Sequence, residues 1–182
     1  CPEKSKCTFA IDLVASTNLK ELYFDNEQYD GYIRDRCVFR PDIDIEDTMN
    51  VMVKYDNGTQ LNYALSAYDA WEGYHIAFNG TKGRIEHRIV EKVGVAGANE
   101  IQSKSAGVST RIIPMRGAPR DIEPWSGVGS HGGGDDAMLT EIFGDAPADK
   151  YKRVSDERAG AYSILVGVAA NQCFETGRSV RI

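Results

Sequence analysis

The sequence predicts an α+β domain, an open and mainly antiparallel β-sheet with helices packed on one face. Two observations carry this. From Thr48 the apolar residues recur with period two: Met49, Val51, Val53 and Tyr55 alternate with other side chains, Asp56-Asn57-Gly58 interrupts them, and Leu61, Tyr63, Leu65 and Ala67 resume the alternation. That pattern is a β-hairpin, because Asn-Gly tolerates the positive φ angles of a tight turn. The longest helical pattern comes late, at residues 156–176, so a run of strands precedes the main helix, an order typical of α+β domains.

A second strand pair follows the first. Tyr74, Ile76 and Phe78 precede the turn Asn79-Gly80-Thr81-Lys82-Gly83, and Ile85, His87 and Ile89 follow it, giving four antiparallel strands in succession. Residues 91–109, rich in Gly, Ala and Ser, read as a loop. Arg111 to Met115 is a candidate fifth strand, and Arg120 to Trp125 leads into the cluster Gly132-Gly133-Gly134. Asp135 is placed to cap a short helix carrying Leu139, Ile142 and Phe143, closed by Gly144. In the long helix Ala161, Ile164, Leu165, Val168 and Cys173 fall on one side, with Gly177 as its stop, and Ser179 to Ile182 could add an edge strand. Residues 1–47 show only short helical stretches, around Phe9, Leu13 and Val14 and from Leu19 to Phe24, and read as a lead-in segment. A sheet covered on one side only is either solvated on the other or buried in an oligomer, and the apolar content of these strands favours the oligomer.

With 182 residues, 42% hydrophobic and 26% charged, the chain fits one folded domain and needs no staple or metal. A net charge of -6 argues against nucleic acid, which demands clustered Lys and Arg. No stretch has the roughly 18 uncharged apolar residues of a membrane-spanning helix, so a cytoplasmic protein is expected, with a periplasmic or secreted one as the alternative. A start at Cys1 suits a processed secreted protein or a piece of a longer one. Cys1, Cys7, Cys37 and Cys173 allow three pairings if all are oxidised; plain thiols or a local tie between Cys1 and Cys7 is favoured over zinc, and Cys173 reads as a small core residue.

The richest cluster is Ser130-His131-Gly132-Gly133-Gly134-Asp135-Asp136. Its glycines let a ligand approach the backbone, and the following helix offers free N–H groups, but Asp135 and Asp136 would repel a phosphate there. Hydroxyl groups of a sugar or polyol fit better; the structural alternative is a helix cap with His131 satisfying loop carbonyls. Trp71 and Tyr74 open the third strand and could stack on a sugar face, although aromatics there more often pack. Asn79-Gly80-Thr81-Lys82-Gly83 lacks the phosphate-loop spacing and is a turn. No G-x-G-x-x-G follows a parallel strand, and neither a serine nucleophile elbow nor an H-E-x-x-H is present.

Taken together, Asp44-Ile45-Glu46-Asp47, the Asn57-Gly58 hairpin, Asn79-Gly80-Thr81-Lys82-Gly83-Arg84-Ile85-Glu86, His131-Gly132-Gly133-Gly134-Asp135, and Gly160 to Ala170 before Thr176-Gly177 resemble the glucose-fructose oxidoreductase / inositol dehydrogenase / rhizopine-catabolism (Gfo/Idh/MocA) family. The resemblance spans residues 1–182 and implies the family's C-terminal, dihydrodipicolinate-reductase-like domain, which binds substrate and mediates oligomers. It implies that the NAD- or NADP-holding Rossmann domain and the catalytic residues lie outside this chain, so that the chain holds no cofactor and no metal and is inactive alone. It implies substrate contact by His131 and Asp135, a sugar or polyol as substrate, and a homodimer or homotetramer formed through the sheet face. An NAD-dependent glycoside hydrolase on the same scaffold and a non-catalytic sugar-binding or oligomerisation module are the alternatives.

Overall fold

A computed structural model describes residues 1–93, 107–124, 127–145 and 148–182. The chain is α+β with antiparallel sheets, and it divides into two compact units, one of residues 1–47 and 66–124, the other of residues 48–65 and 125–182.

The first unit begins with turns and a short 3-10 helix (Lys4–Lys6), and no helix forms around Phe9, Leu13 and Val14. The reason is local: the Asp12 carboxylate accepts the Val14 N–H at 3.2 Å, an Asx-type bond that competes with helical hydrogen bonding. Helix α1 (Thr17–Leu22) starts after Ser16, whose Oγ accepts the Leu19 N–H, and helix α2 (Glu27–Asp30) ends where Gly31 turns left-handed at φ 72°. The lead-in nonetheless contributes packing, because Leu13 and Leu19 are two of the three buried apolar residues among those described, the third being Ala170. It is tied down by an aromatic trio, in which Phe9 meets Phe39 and Tyr68 edge-on at 5.3 and 5.5 Å and the Tyr68 hydroxyl donates to the Val38 carbonyl.

The rest of this unit is a four-stranded antiparallel sheet in the order β3 (Trp71–Gly80), β4 (Gly83–Val93), β5 (Gly107–Pro114), β6 (Arg120–Ile122). Strands β4 and β5 thus reach into the stretch read as a loop from 91 to 109, of which residues 94–106 lie outside the described residues. The register sets a mainly apolar face against a mainly charged one. On one face Tyr74 pairs with Ile89, Phe78 with Ile85, Ile85 with Ile112, and Ile89 with Val108. On the other, His75 pairs with Arg88, Glu86 with Arg111 and Arg111 with Asp121. The charged face is laced by Arg84 to Glu86 at 2.6 Å and by a two-bond Arg111–Asp121 pair at 2.7 and 3.0 Å.

In the second unit the Asn-Gly hairpin forms as expected from β1 (Thr48–Lys54) and β2 (Gln60–Ser66), with Tyr55 N–H donating to the Thr59 carbonyl, the Asn57 side chain accepting from Thr59 N–H, and Gly58 at φ 85°. Met49, Val51 and Val53 are the more covered residues of β1, as the alternation required. The two hairpins do not join into one run of four strands; β1 and β2 form a sheet of their own. Helix α3 (Gly134–Phe143) and helix α4 (Glu157–Thr176) follow. Helix α4 ends at the expected stop, Gly177 at φ 66°, and begins at a cap in which the Asp156 side chain accepts the Ala159 N–H at 2.8 Å. Residues 179–182 form no edge strand; beyond Gly177 the backbone is irregular, and among the described residues no strand pairs with it.

Two predictions follow from the first unit. A Cβ on Gly83, at φ 150°, would collide with the Ile113 carbonyl and lie 2.8 Å from the Pro114 Cα, so it would push β5 off β4. Gly83→Ala is expected to cost about 1–3 kcal/mol, whereas Gly31→Ala, which faces open space, costs about 1 kcal/mol; urea unfolding of the full-length protein measures both. The Arg111 guanidinium bonded to Asp121 holds its carboxyl below the ordinary range. A carboxyl lowered in the folded state adds stability above its unfolded value, and that stability is lost as pH falls through the folded one. Asp121→Asn is therefore expected to flatten the acid side of the stability–pH curve below the ordinary carboxylate range while leaving the alkaline side parallel to wild type.

Candidate functional site

The glycine-rich turn before α3 is built from left-handed backbone. His131 (φ 48°, ψ 37°), Gly132 (φ 64°, ψ 29°) and Gly133 (φ 82°, ψ 5°) take that conformation in succession, and Gly134 begins the right-handed helix. Glycines accept it without steric cost, and histidine is among the few other residues found there with some frequency. Gly133 is also held close, since a Cβ on it would lie 3.0 Å from the Val128 carbonyl oxygen.

Asp135 does not cap the helix as expected. The N-cap is Gly133, without a side-chain cap bond, and Asp135 sits within the first turn of α3. Its carboxylate instead meets the His131 imidazole, with Nδ1 at 3.0 and 2.9 Å from its two oxygens. The left-handed turn makes this possible by folding His131 back over the start of the helix four residues on. With Nδ1 engaged by a carboxylate, which can only accept, the neutral ring carries its proton on Nδ1 and leaves Nε2 as an acceptor. The imidazole is well exposed, its side chain being 81% accessible. Asp136 contributes a second carboxylate to the same first turn, where negative charge complements the helix dipole. Such a site can accept a hydrogen bond from a hydroxyl and disfavours an anion.

His131 and Asp135 are therefore brought together. Trp71 and Tyr74 belong to the other unit and are separated even from each other. Three residues apart on one strand, the two fall on opposite faces: Trp71 lies near Arg88 on the charged face, ring to guanidinium 5.7 Å, whereas Tyr74 lies on the apolar face, 6.0 Å from the ring of His87. They do not form one stacking platform. His87 in turn is joined to Thr110 Oγ1 at 2.8 Å. Sequence reasoning missed Arg88 and His87 because only the register shows what lies across the strand from them.

The Thr81-Lys82 turn is a hairpin turn, as read, and it borders an open hollow of about 430 Å³ floored by Phe78, Ile85, Ile112 and Pro114. Among the described residues no group of three His, Cys, Asp or Glu side chains is arranged for a metal, the four cysteines are free thiols, and no helix is long and apolar enough to cross a membrane. The glycine turn into α3 does not fit a dinucleotide, since the helix start that would receive a pyrophosphate carries Asp135 and Asp136.

Known proteins place the chain. Residues 12–182 match the family model described as "Oxidoreductase family, C-terminal alpha/beta domain". Over 167 residues the chain is 34% identical to a Bacillus subtilis (strain 168) protein whose name reads "Putative oxidoreductase YteT". The alignment takes in 91% of this chain and 36% of that relative, so the chain spans little more than a third of the curated relative it matches. No solved structure matches it. An α+β fold with antiparallel sheets and a family match that covers nearly all of the sequence lead to one conclusion: the chain belongs to the Gfo/Idh/MocA oxidoreductase family, as its C-terminal alpha/beta domain.

Proposed function

We propose that this chain is the substrate-binding and oligomerisation domain of an NAD- or NADP-dependent oxidoreductase acting on a sugar or polyol, with His131 and Asp135 at the substrate surface. The observation that carries the reading is the His131–Asp135 pair, an exposed imidazole oriented by a carboxylate at a turn with little side-chain bulk. The cofactor would be held by another part of the full-length protein, a reading supported by the glycine turn into α3, whose helix start carries Asp135 and Asp136 and does not fit a pyrophosphate; the chain alone is expected to be inactive.

The test uses the full-length protein with NAD or NADP and a panel of neutral sugars and polyols, following the absorbance of the reduced cofactor. Net reduction supports the reading. Glycoside cleavage without net reduction transfers the domain to a glycosidase, and neither activity with any cofactor leaves a binding or oligomerisation module. His131→Ala is expected to lower kcat/KM by roughly ten-fold or more, the scale of one hydrogen bond lost from a substrate, with unfolding in urea unchanged because the side chain is exposed. Unaltered kinetics would return His131 to a purely local role.

The oligomer contact is assigned to the apolar face of the four-stranded sheet. Tyr74, Ile76, Phe78, Ile85, Val108 and Ile122 are all exposed there by two-fifths or more, while the opposite face satisfies its charges with its own ion pairs. Phe78→Glu is expected to shift the full-length protein toward monomer in sedimentation velocity, and Arg111→Ala on the charged face is expected to leave the assembly intact. The reverse pattern would move the contact to the other face.

A further inference from the structure

We infer that Asp135 is the positioning residue that makes His131 an acceptor and thereby restricts the site to neutral, hydroxyl-donating ligands, to the exclusion of phosphorylated ones. This rests on the reading of the His131 turn as the substrate surface and adds to it which chemistry the turn admits and which residue decides it.

The geometry supplies three steps. First, Nδ1 of His131 lies within hydrogen-bond distance of both Asp135 oxygens, at 3.0 and 2.9 Å, so the carboxylate fixes the proton on Nδ1 and the plane of the ring with it. Secondly, the remaining nitrogen, Nε2, has no hydrogen-bond partner among the described residues, and the side chain is 81% accessible; in that tautomer it takes a hydrogen bond and cannot give one. A hydroxyl satisfies it, whereas a fully ionised phosphate, which has no hydrogen to offer, does not. Thirdly, the carboxylates at this helix start repel anions. Asp135 is in contact with the ring, and the Asp136 carboxylate is turned back toward Gly129, where a Cβ would lie 3.8 Å from Oδ2. Two carboxylates thus flank the one helix start whose free N–H groups would otherwise attract a phosphate.

The test has two independent arms on the full-length protein. In the first, histidine labelled with nitrogen-15 reports the tautomer of His131 by NMR at pH 8, the signal being assigned by its loss in His131→Gln. Wild type is expected to carry the proton on Nδ1; Asp135→Asn, which can present an amide donor, is expected to move the population toward Nε2–H, and Asp135→Glu to restore it. Wild type with its proton on Nε2 overturns the inference whatever the substrate proves to be. In the second arm, calorimetry compares myo-inositol and glucose with glucose 6-phosphate as probes. The neutral probes are expected to bind at least ten-fold more tightly than the phosphate, and the gap is expected to narrow in the Asp135→Asn, Asp136→Asn double variant. Equal or tighter binding of the phosphate overturns the inference. Binding of none of the three, with the Nδ1–H tautomer present, overturns the reading of this turn as a sugar site and the ligand restriction with it, while leaving the Asp135–His131 orientation standing.

Discussion

Strand β4 is the constraint from which most of the first unit follows. It runs for eleven residues, from Gly83 to Val93, and is hydrogen-bonded on both sides, so the positions of β3 and β5 are fixed by its own alternation. Because side chains change face at every residue, the odd-numbered Ile85, His87 and Ile89 commit one surface to apolar contact and Arg84, Glu86 and Arg88 commit the other to charge. A slip of one residue would exchange the two sets. The close approach of Gly83 to β5 and of Gly73 to the Ile89 carbonyl holds the strand against such a slip at both ends, since neither position admits a side chain.

This register leaves apolar side chains exposed on one face of the sheet. Only Leu13, Leu19 and Ala170 are buried among the apolar residues described, whereas isoleucine, tyrosine and phenylalanine side chains remain exposed along β3 and β4. Hydrophobic area left in water forgoes stabilisation of about 25 cal/mol for each Å². The chain corresponds to only 36% of its Bacillus subtilis relative, and its proposed function as one part of a larger, oligomeric enzyme is consistent with surfaces shaped to be covered by other parts or copies.

The candidate site works by a different logic, in which backbone conformation arranges side-chain chemistry. Three consecutive left-handed residues are costly for most sequences, and here two of the three are glycine. The conformation returns the chain on itself so that a histidine preceding the helix lies over an aspartate inside it. The helix dipole favours the carboxylate, the carboxylate orients the imidazole, and the imidazole is left with one nitrogen for a ligand. Each link is weak alone; the combination defines a small surface with a specific hydrogen-bonding polarity.

Much of this is written in short-range patterns. The Asn57-Gly58 hairpin, the Thr81-Lys82 turn, the Asp156 and Gly177 limits of α4 and the α+β class all depend on residues within a few positions of one another, so the sequence determined them by itself. The cluster around His131 was legible for the same reason, as glycines beside a histidine and carboxylates. Tertiary structure decided what depends on partners distant in the chain: that β1 and β2 form a separate sheet, that the lead-in buries Leu13 and Leu19, and that Trp71 lies next to Arg88 and Tyr74 next to His87. It also reassigned Asp135 from cap to partner of His131, because a capping motif and a carboxylate–imidazole pair share one sequence and differ only in the handedness of the three residues before the helix.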